Sequence, residues 1–381
     1  MIKYVFSVVI CFFVSITVQS QEENEIFTWS NSLEIPNSKG LNGSFIGVHN
    51  DALIIAGGAN FPNTPVWEGG KKVWHNSIYV LEKNGDSEKW LASNLQLPHD
   101  LAYGVSISTP NGILCIGGDN AEGVFKEVFF LKWDNKTKSI TIENLPPMPM
   151  ALSNMGGSII GNTVYLVGGK ESVGGGSTTS FLSFNLSPTL TKKAHTWEKL
   201  QNFPGKSRLQ PVVVAQSNGH QECLYVFSGM SFDPNSETTH KMLDDVYEFD
   251  PHKNKWTKKN QIPNNGTPGL AGGYISAAPA IKTGDSHIVI FGGAGGEQQH
   301  LAARLKLWKD IKTLENNADQ DDATLASLKR LENKEKELIK NTTFTKTIWA
   351  YHTITDTWSK RGELPNTTQV VTNAIKWGED I

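Results

Sequence analysis

The residues able to do chemistry in this chain are scattered, and none falls into a self-sufficient catalytic motif. There is no phosphate-binding P-loop, no dinucleotide Gly fingerprint, no Gly-x-Ser-x-Gly elbow and no His-Glu-x-x-His helix. The ten His are dispersed and none pairs with Cys at ligand spacing, so a zinc site is not expected. Gly174-Gly175-Gly176 reads as a flexible loop and not as a phosphate cradle. What remains is a set: Asn60, Trp67, Glu68, Asp100, Tyr103, Asp119, Arg208 and Glu297. These residues fall after glycine pairs or ahead of apolar strands, positions that a repeated fold gathers at one mouth. An Arg beside aromatics and amides suits an acidic sugar, because a guanidinium grips a carboxylate bidentately. Ordinary turn or surface duty explains any single member equally well; only the set points to a ligand.

The elements that would position this set are announced by a repeat. Ile54-Ile55-Ala56-Gly57-Gly58 returns as Cys115-Ile116-Gly117-Gly118, Leu166-Val167-Gly168-Gly169, Val226-Phe227-Ser228-Gly229 and Ile290-Phe291-Gly292-Gly293. Successive copies lie about 50 to 64 residues apart, the period of kelch-type propeller blades. Each unit reads as an apolar strand, a short polar turn, a buried strand ending in the pair, a longer loop, an alternating strand and a last strand. That last strand carries Trp90, Trp197, Trp256 and Trp358 in four units, and Ser139 to Ile142 without a Trp in the second. Four-stranded sheets of this kind must pack radially to bury both faces.

The ends suggest a sixth unit. Phe27-Thr28-Trp29 reads as an outer Trp strand with no blade before it, and Val370 to Lys376 as an opening inner strand with no blade after it. The expected fold is therefore all-β, a six-bladed kelch-type β-propeller whose sixth blade is incomplete at the C-terminus. The fifth unit is interrupted over 298–340 by a Lys-, Glu-, Leu- and Ala-rich stretch. There Leu301, Leu305, Trp308, Ile311 and Leu314 recur at helical spacing. A helical hairpin folded over the propeller mouth is expected, with a coiled-coil partner arm as the other reading.

Residues 1–20 read as a secretory signal, with Lys3 before an apolar run from Val5 to Val18 and small residues at Val18-Gln19-Ser20. The expected mature chain, 21–381, is periplasmic or secreted and has no membrane span, an uncleaved anchor being the other reading. A net charge of −3 with no Lys/Arg stripe excludes a nucleic-acid footprint. Cys115 and Cys223 sit in inner apolar runs and are expected as buried free thiols.

Several stretches together resemble a known family. Gly57 to Pro62 and Pro65-Val66-Trp67-Glu68-Gly69-Gly70-Lys71-Lys72-Val73-Trp74 resemble the cyclically permuted sialic acid mutarotases (N-acetylneuraminate epimerases). So do Leu101 to Ser106, Ile116 to Asp119, Phe203 to Arg208 and Leu270 to Gly273. The resemblance runs in order through nearly the whole mature chain. It implies a propeller that interconverts the α and β anomers of N-acetylneuraminate by general acid–base ring opening, without metal or organic cofactor. It also implies a catalytic Glu and Arg in a Gly-Glu-x-x-Pro-Gly-x-Arg-Thr stretch, on the strand pair after the position of Ile381. Gly378-Glu379 falls one strand too early, and the catalytic role is not carried onto Glu379. Two readings stay open: a mutarotase sequence truncated before that pair, and a non-catalytic propeller that binds a sugar or a protein partner.

Overall fold

The computed structural model describes residues 27–30, 32–36, 38–85, 87–91, 95–187, 195–235, 240–264, 273–294, 298–316, 321–341, 344–366 and 370–381. The expected signal segment and Glu297 lie outside them. Residues 1–30 and 31–381 are separate units. In the first, the rings of Phe27 and Trp29 stand 5.9 Å apart, and this stretch, expected as a strand, forms none.

The second unit is a β-propeller of antiparallel sheets, each running in chain order from inner to outer strand. Blade 1 pairs β1 (Phe45–His49), β2 (Ala52–Ala56), β5 (Ile78–Asn84) and β6 (Ser87–Leu91). Its long loop holds a ribbon of β3 (Ala59–Asn60) and β4 (Val73–Trp74) around a 3-10 turn at Val66–Glu68. Blade 2 is β7 (Val105–Thr109), β8 (Gly112–Asp119), β9 (Val124–Asp134) and β10 (Ser139–Asn144). Blade 3 is β11 (Ser153–Ile160), β12 (Thr163–Lys170), β13 (Phe181–Asn185) and β14 (Trp197–Lys199). Blade 4 is β15 (Val212–Ser217), β16 (Glu222–Phe227), β19 (Val246–Asp250) and β20 (Lys255–Lys259), with a ribbon of β17 (Met230–Phe232) and β18 (His240–Met242). Blade 5 is β21 (Ala280–Thr283), β22 (His287–Phe291), β23 (Thr347–His352) and β24 (Thr357–Glu363).

Strand alternation explains why the middle strands are apolar on both faces. Ile113 and Cys115 of β8 join the core shared with blade 1, while Leu114 and Ile116 join the core shared with blade 3. In blade 4, Leu224 and Val226 face blade 3 while Cys223, Tyr225 and Phe227 face blade 5. Trp256 packs on Phe181 and Phe203 of blade 3, and Trp358 on Phe227 of blade 4. The glycine pair makes the seam between blades. Gly117 has φ +60°, and a Cβ there would stand 2.4 Å from the Leu152 carbonyl of the next blade; the N–H of Gly118 donates to that same carbonyl at 2.9 Å.

A closed ring of six backbone hydrogen bonds ties the inner ends together. Tyr103 N–H donates to Gly43 O, Asn154 to Tyr103, Gln210 to Asn154, Ala277 to Gln210, Val371 to Ala277, and Gly43 to Val371, all at 2.7–2.9 Å. All six residues are left-handed, with φ between 50° and 68°. Five of them lead into the first strands of the five blades; the sixth is Val371.

Five four-stranded sheets are present among the described residues, not six. The segment Val370 to Lys376, expected as an inner strand, pairs with none. After Val371 it runs back over the first two blades: Asn373 donates to Ser106 Oγ at 2.9 Å, Trp377 Nε1 to the Asp51 carbonyl at 3.2 Å, and Asp380 pairs with Lys83. Trp197 and Trp358 donate their indole N–H to carbonyls of the preceding blade, those of Pro146 and Asn260. The Trp90 Nε1 of blade 1 is buried without a partner among the described residues.

The interruption of blade 5 forms α1 (Gln298–Glu315) and α2 (Asp322–Lys340), packed on one another. Asp321 caps α2, accepting the Thr324 N–H at 2.7 Å. Helix α2 lies against the Val66–Glu68 turn of blade 1, and α1 against β18 of blade 4. Among the described side chains of α1, Leu307 and Ile311 are buried; Trp308, a member of the expected apolar stripe, is exposed with the Lys312 ammonium 4.0 Å from its ring centre. Ile311 belongs to the expected stripe and is buried with Leu307 four residues before it.

Candidate functional site

The ring residues line a cavity of about 130 Å³ at the axis, with Tyr103, Asn154, Gln210 and Val371 among its walls. Tyr103 owes its place to two backbone features. Its φ of +63° turns the side chain over Gly43, where a Cβ would stand 2.5 Å from the ring. Burial, with the nearby Asp119 charge, pushes its phenol above the ordinary range, so the hydroxyl stays protonated at neutral pH and can donate.

Asp119 follows directly on Gly117-Gly118 at the end of β8, and its backbone pairs with Ala102 just before Tyr103. It is buried, and two neighbouring blades, 1 and 3, converge on its carboxylate. Trp74 Nε1 from the blade 1 ribbon donates to Oδ1 at 3.2 Å. Ser153 Oγ and Asn154 Nδ2 from blade 3 donate to Oδ2 at 2.8 and 3.2 Å, and the Lys170 ammonium lies 3.1 Å from the same oxygen. Gln210 Nε2 in turn donates to Asn154 Oδ1 at 3.0 Å, carrying the network to blade 4. A buried carboxylate supplied with this many donors orders everything around it. Above it, the Lys72 ammonium lies 4.9 Å from the Tyr103 ring centre and 5.5 Å from that of Trp74. Desolvation lowers the Lys72 pKa, against the opposing pull of Asp119.

Of the residues singled out from sequence, the structure brings Tyr103 and Asp119 together. Asn60 serves its own loop, with Oδ1 2.8 Å from His75 Nε2 and Nδ2 donating to Gly40 O. Trp67 and Glu68 sit on the 3-10 turn beneath α2. Asp100 is exposed, and its carbonyl accepts from Asn120.

Arg208, expected to grip a ligand carboxylate, grips one of the protein's own. It is fully buried, with its two terminal nitrogens 2.9 and 3.0 Å from the two oxygens of Asp245. It also donates to the carbonyls of Ser228 and Lys206, and stacks 4.3 Å from the Phe203 ring centre. Its fork is spent on the junction of blades 3 and 4.

Sequence reasoning passed over Lys72, Trp74, Ser153, Asn154, Lys170 and Gln210. One signal was available for three of them: Asn154 and Gln210 hold the place of Tyr103 in the repeat, and Lys170 follows its glycine pair as Asp119 does. Among the described residues no group of three metal-ligating side chains is assembled, and no helix is long and apolar enough to cross a membrane.

The family model described as N-acetylneuraminate epimerase matches residues 15–140 and 145–380. The N-acetylneuraminate epimerase of Brucella suis is 35% identical over 112 residues, 27% of this chain and 28% of that protein. The N-acetylneuraminate epimerase of Salmonella enteritidis PT4 is 31% identical over 222 residues, 58% of this chain and 48% of that protein. The chain thus matches less than half the length of these curated relatives. The solved structure of YjhT shares the fold, with a TM-score of 0.56 and 16% identity over 90% of each chain. With the family model matched from end to end of the propeller, this chain belongs to the N-acetylneuraminate epimerase family.

Proposed function

We propose that the protein binds N-acetylneuraminate at the axial mouth and speeds the interconversion of its α and β anomers. The observation that carries this reading is the convergence at Asp119: blades 1 and 3 deliver an indole N–H, a hydroxyl, an amide and an ammonium to its carboxylate, beside Tyr103 and Asn154, which line the axial cavity of a propeller from this family. An acidic, polyhydroxylated sugar offers the complementary groups. Mutarotation needs a base for the anomeric hydroxyl proton and an acid for the ring oxygen, followed by closure of the open ketone on its other face. Tyr103 supplies a hydrogen-bond donor for a sugar oxygen, and Asn154 and Gln210 supply amides for hydroxyls. The Glu and Arg that the resemblance implies for the proton transfers fall after the position of Ile381, and those transfers are given to no residue named here.

The sixth blade of the expected fold belongs to the same reading. The sixfold hydrogen-bonded ring, with Val371 in the place that leads into a blade, supports it, as does the buried Trp90 N–H, which meets no acceptor among the described residues. A second reading, a propeller that binds the sugar without turning it over, is favoured by one observation. The buried carboxylate at the mouth, Asp119, has its oxygens taken up by protein donors. Anomer-resolved NMR on freshly released α-N-acetylneuraminate separates the two. Faster equilibration supports the mutarotase; calorimetric binding at the spontaneous rate supports the binder; neither overturns both.

A further inference from the structure

Two of the described cations at or near the mouth are spent. Lys170 is paired with Asp119 at 3.1 Å, and Arg208 is buried against Asp245. Lys72 has no carboxylate within ion-pair distance among the described residues. It comes instead to rest on two aromatic faces, and neither is free to turn away. Trp74 is pinned through its indole N–H by Asp119, and Tyr103 is held over Gly43 by a left-handed backbone. Two fixed rings hold an ammonium in place by cation–π attraction while leaving its N–H donors for another partner. Tyr103 itself lines the axial cavity, and the ammonium lies against the ring of that residue.

We infer that Lys72 is the carboxylate anchor of the mouth: its ammonium, seated on Trp74 and Tyr103, selects sugars that carry a carboxylate. This rests on the acidic-sugar reading above and adds the residue that confers it. The geometry divides the labour between two lysines. Lys170 neutralises Asp119 and keeps the platform assembled, while Lys72 receives the ligand's charge. The short fork-like grip expected of an Arg is replaced by a point charge, which tolerates a range of carboxylate orientations.

The test is a calorimetric titration of wild type, Lys72→Met and Lys72→Arg with N-acetylneuraminate and with its uncharged methyl ester. Wild type is expected to prefer the acid by about tenfold or more, the scale of one desolvated charge contact. Lys72→Met is expected to lose that preference and bind acid and ester alike, while Lys72→Arg retains most of it. Because Lys72 is an exposed residue, all three proteins are expected to melt together, which separates a lost anchor from a lost fold. A Lys72→Met protein that still prefers the acid overturns the inference alone. A wild type without preference overturns the acidic-sugar reading and the inference with it.

Discussion

Replacing Arg208 by Met removes a charge from the seam between blades 3 and 4 without removing the stem that fills it. The wild-type guanidinium makes two bonds of 2.9 and 3.0 Å to Asp245 and one of 2.8 Å to the Ser228 carbonyl, with Nε on the Lys206 carbonyl at 3.1 Å. Deleting one partner of a buried pair costs about 3–5 kcal/mol, because the other charge is left behind. The Asp245 side chain keeps 16% of its surface in solvent and recovers part of that, which puts the expectation near the lower end, about 3 kcal/mol. Loss of the stack on Phe203 adds about 0.5–1 kcal/mol. Urea denaturation should therefore show a markedly lower midpoint for Arg208→Met. A double-mutant cycle with Asp245→Asn should give a coupling of about 2 kcal/mol, within the range for residues in one network. Sugar affinity, measured well below the new midpoint, should stay within about twofold of wild type. A variant as stable as wild type but tenfold weaker in sugar binding would refute the structural assignment of Arg208.

Two further outcomes follow from the same geometry. Gly117→Ala places a Cβ 2.4 Å from the Leu152 carbonyl at φ +60°, and should cost about 1–3 kcal/mol in denaturant stability; an unchanged midpoint would contradict the seam described here. His49 Nδ1 accepts the Trp133 N–H at 2.9 Å, and burial holds its pKa below 6.5. The unfolded chain therefore takes up this proton first as pH falls, so stability is lost below about pH 6.5, and His49→Asn should flatten that part of the melting-temperature profile.

The parts of the fold that were readable from sequence are those set by local chemistry. Paired glycines after an apolar run mark places where φ is positive and a neighbouring backbone arrives too close for a side chain, as at Gly117. Even the departure in the fourth copy is intelligible: Ser228 takes the left-handed conformation at φ 53°, and its hydroxyl donates to the Leu243 carbonyl. What sequence could not supply is which long-range partner each polar group meets. Arg208 looked free because Asp245 lies far along the chain. Lys72 looked ordinary because its meaning depends on Trp74 and Tyr103, which come from different blades. In α1 the apolar spacing pointed to Ile311, which is buried, but not to Leu307, which is buried beside it. The C-terminal segment read as a strand by its apolar pattern, whereas in the structure its side chains meet Ser106, Asp51 and Lys83, partners far away in sequence.

The central claim is that this propeller accelerates anomer exchange of an acidic sugar. It is tested most directly by releasing α-N-acetylneuraminate from a sialoside with a sialidase and following both anomers by proton NMR, with and without the protein at its natural length. The account predicts that the β anomer appears faster in proportion to protein concentration; a rate that stays at the spontaneous value at every concentration would contradict it.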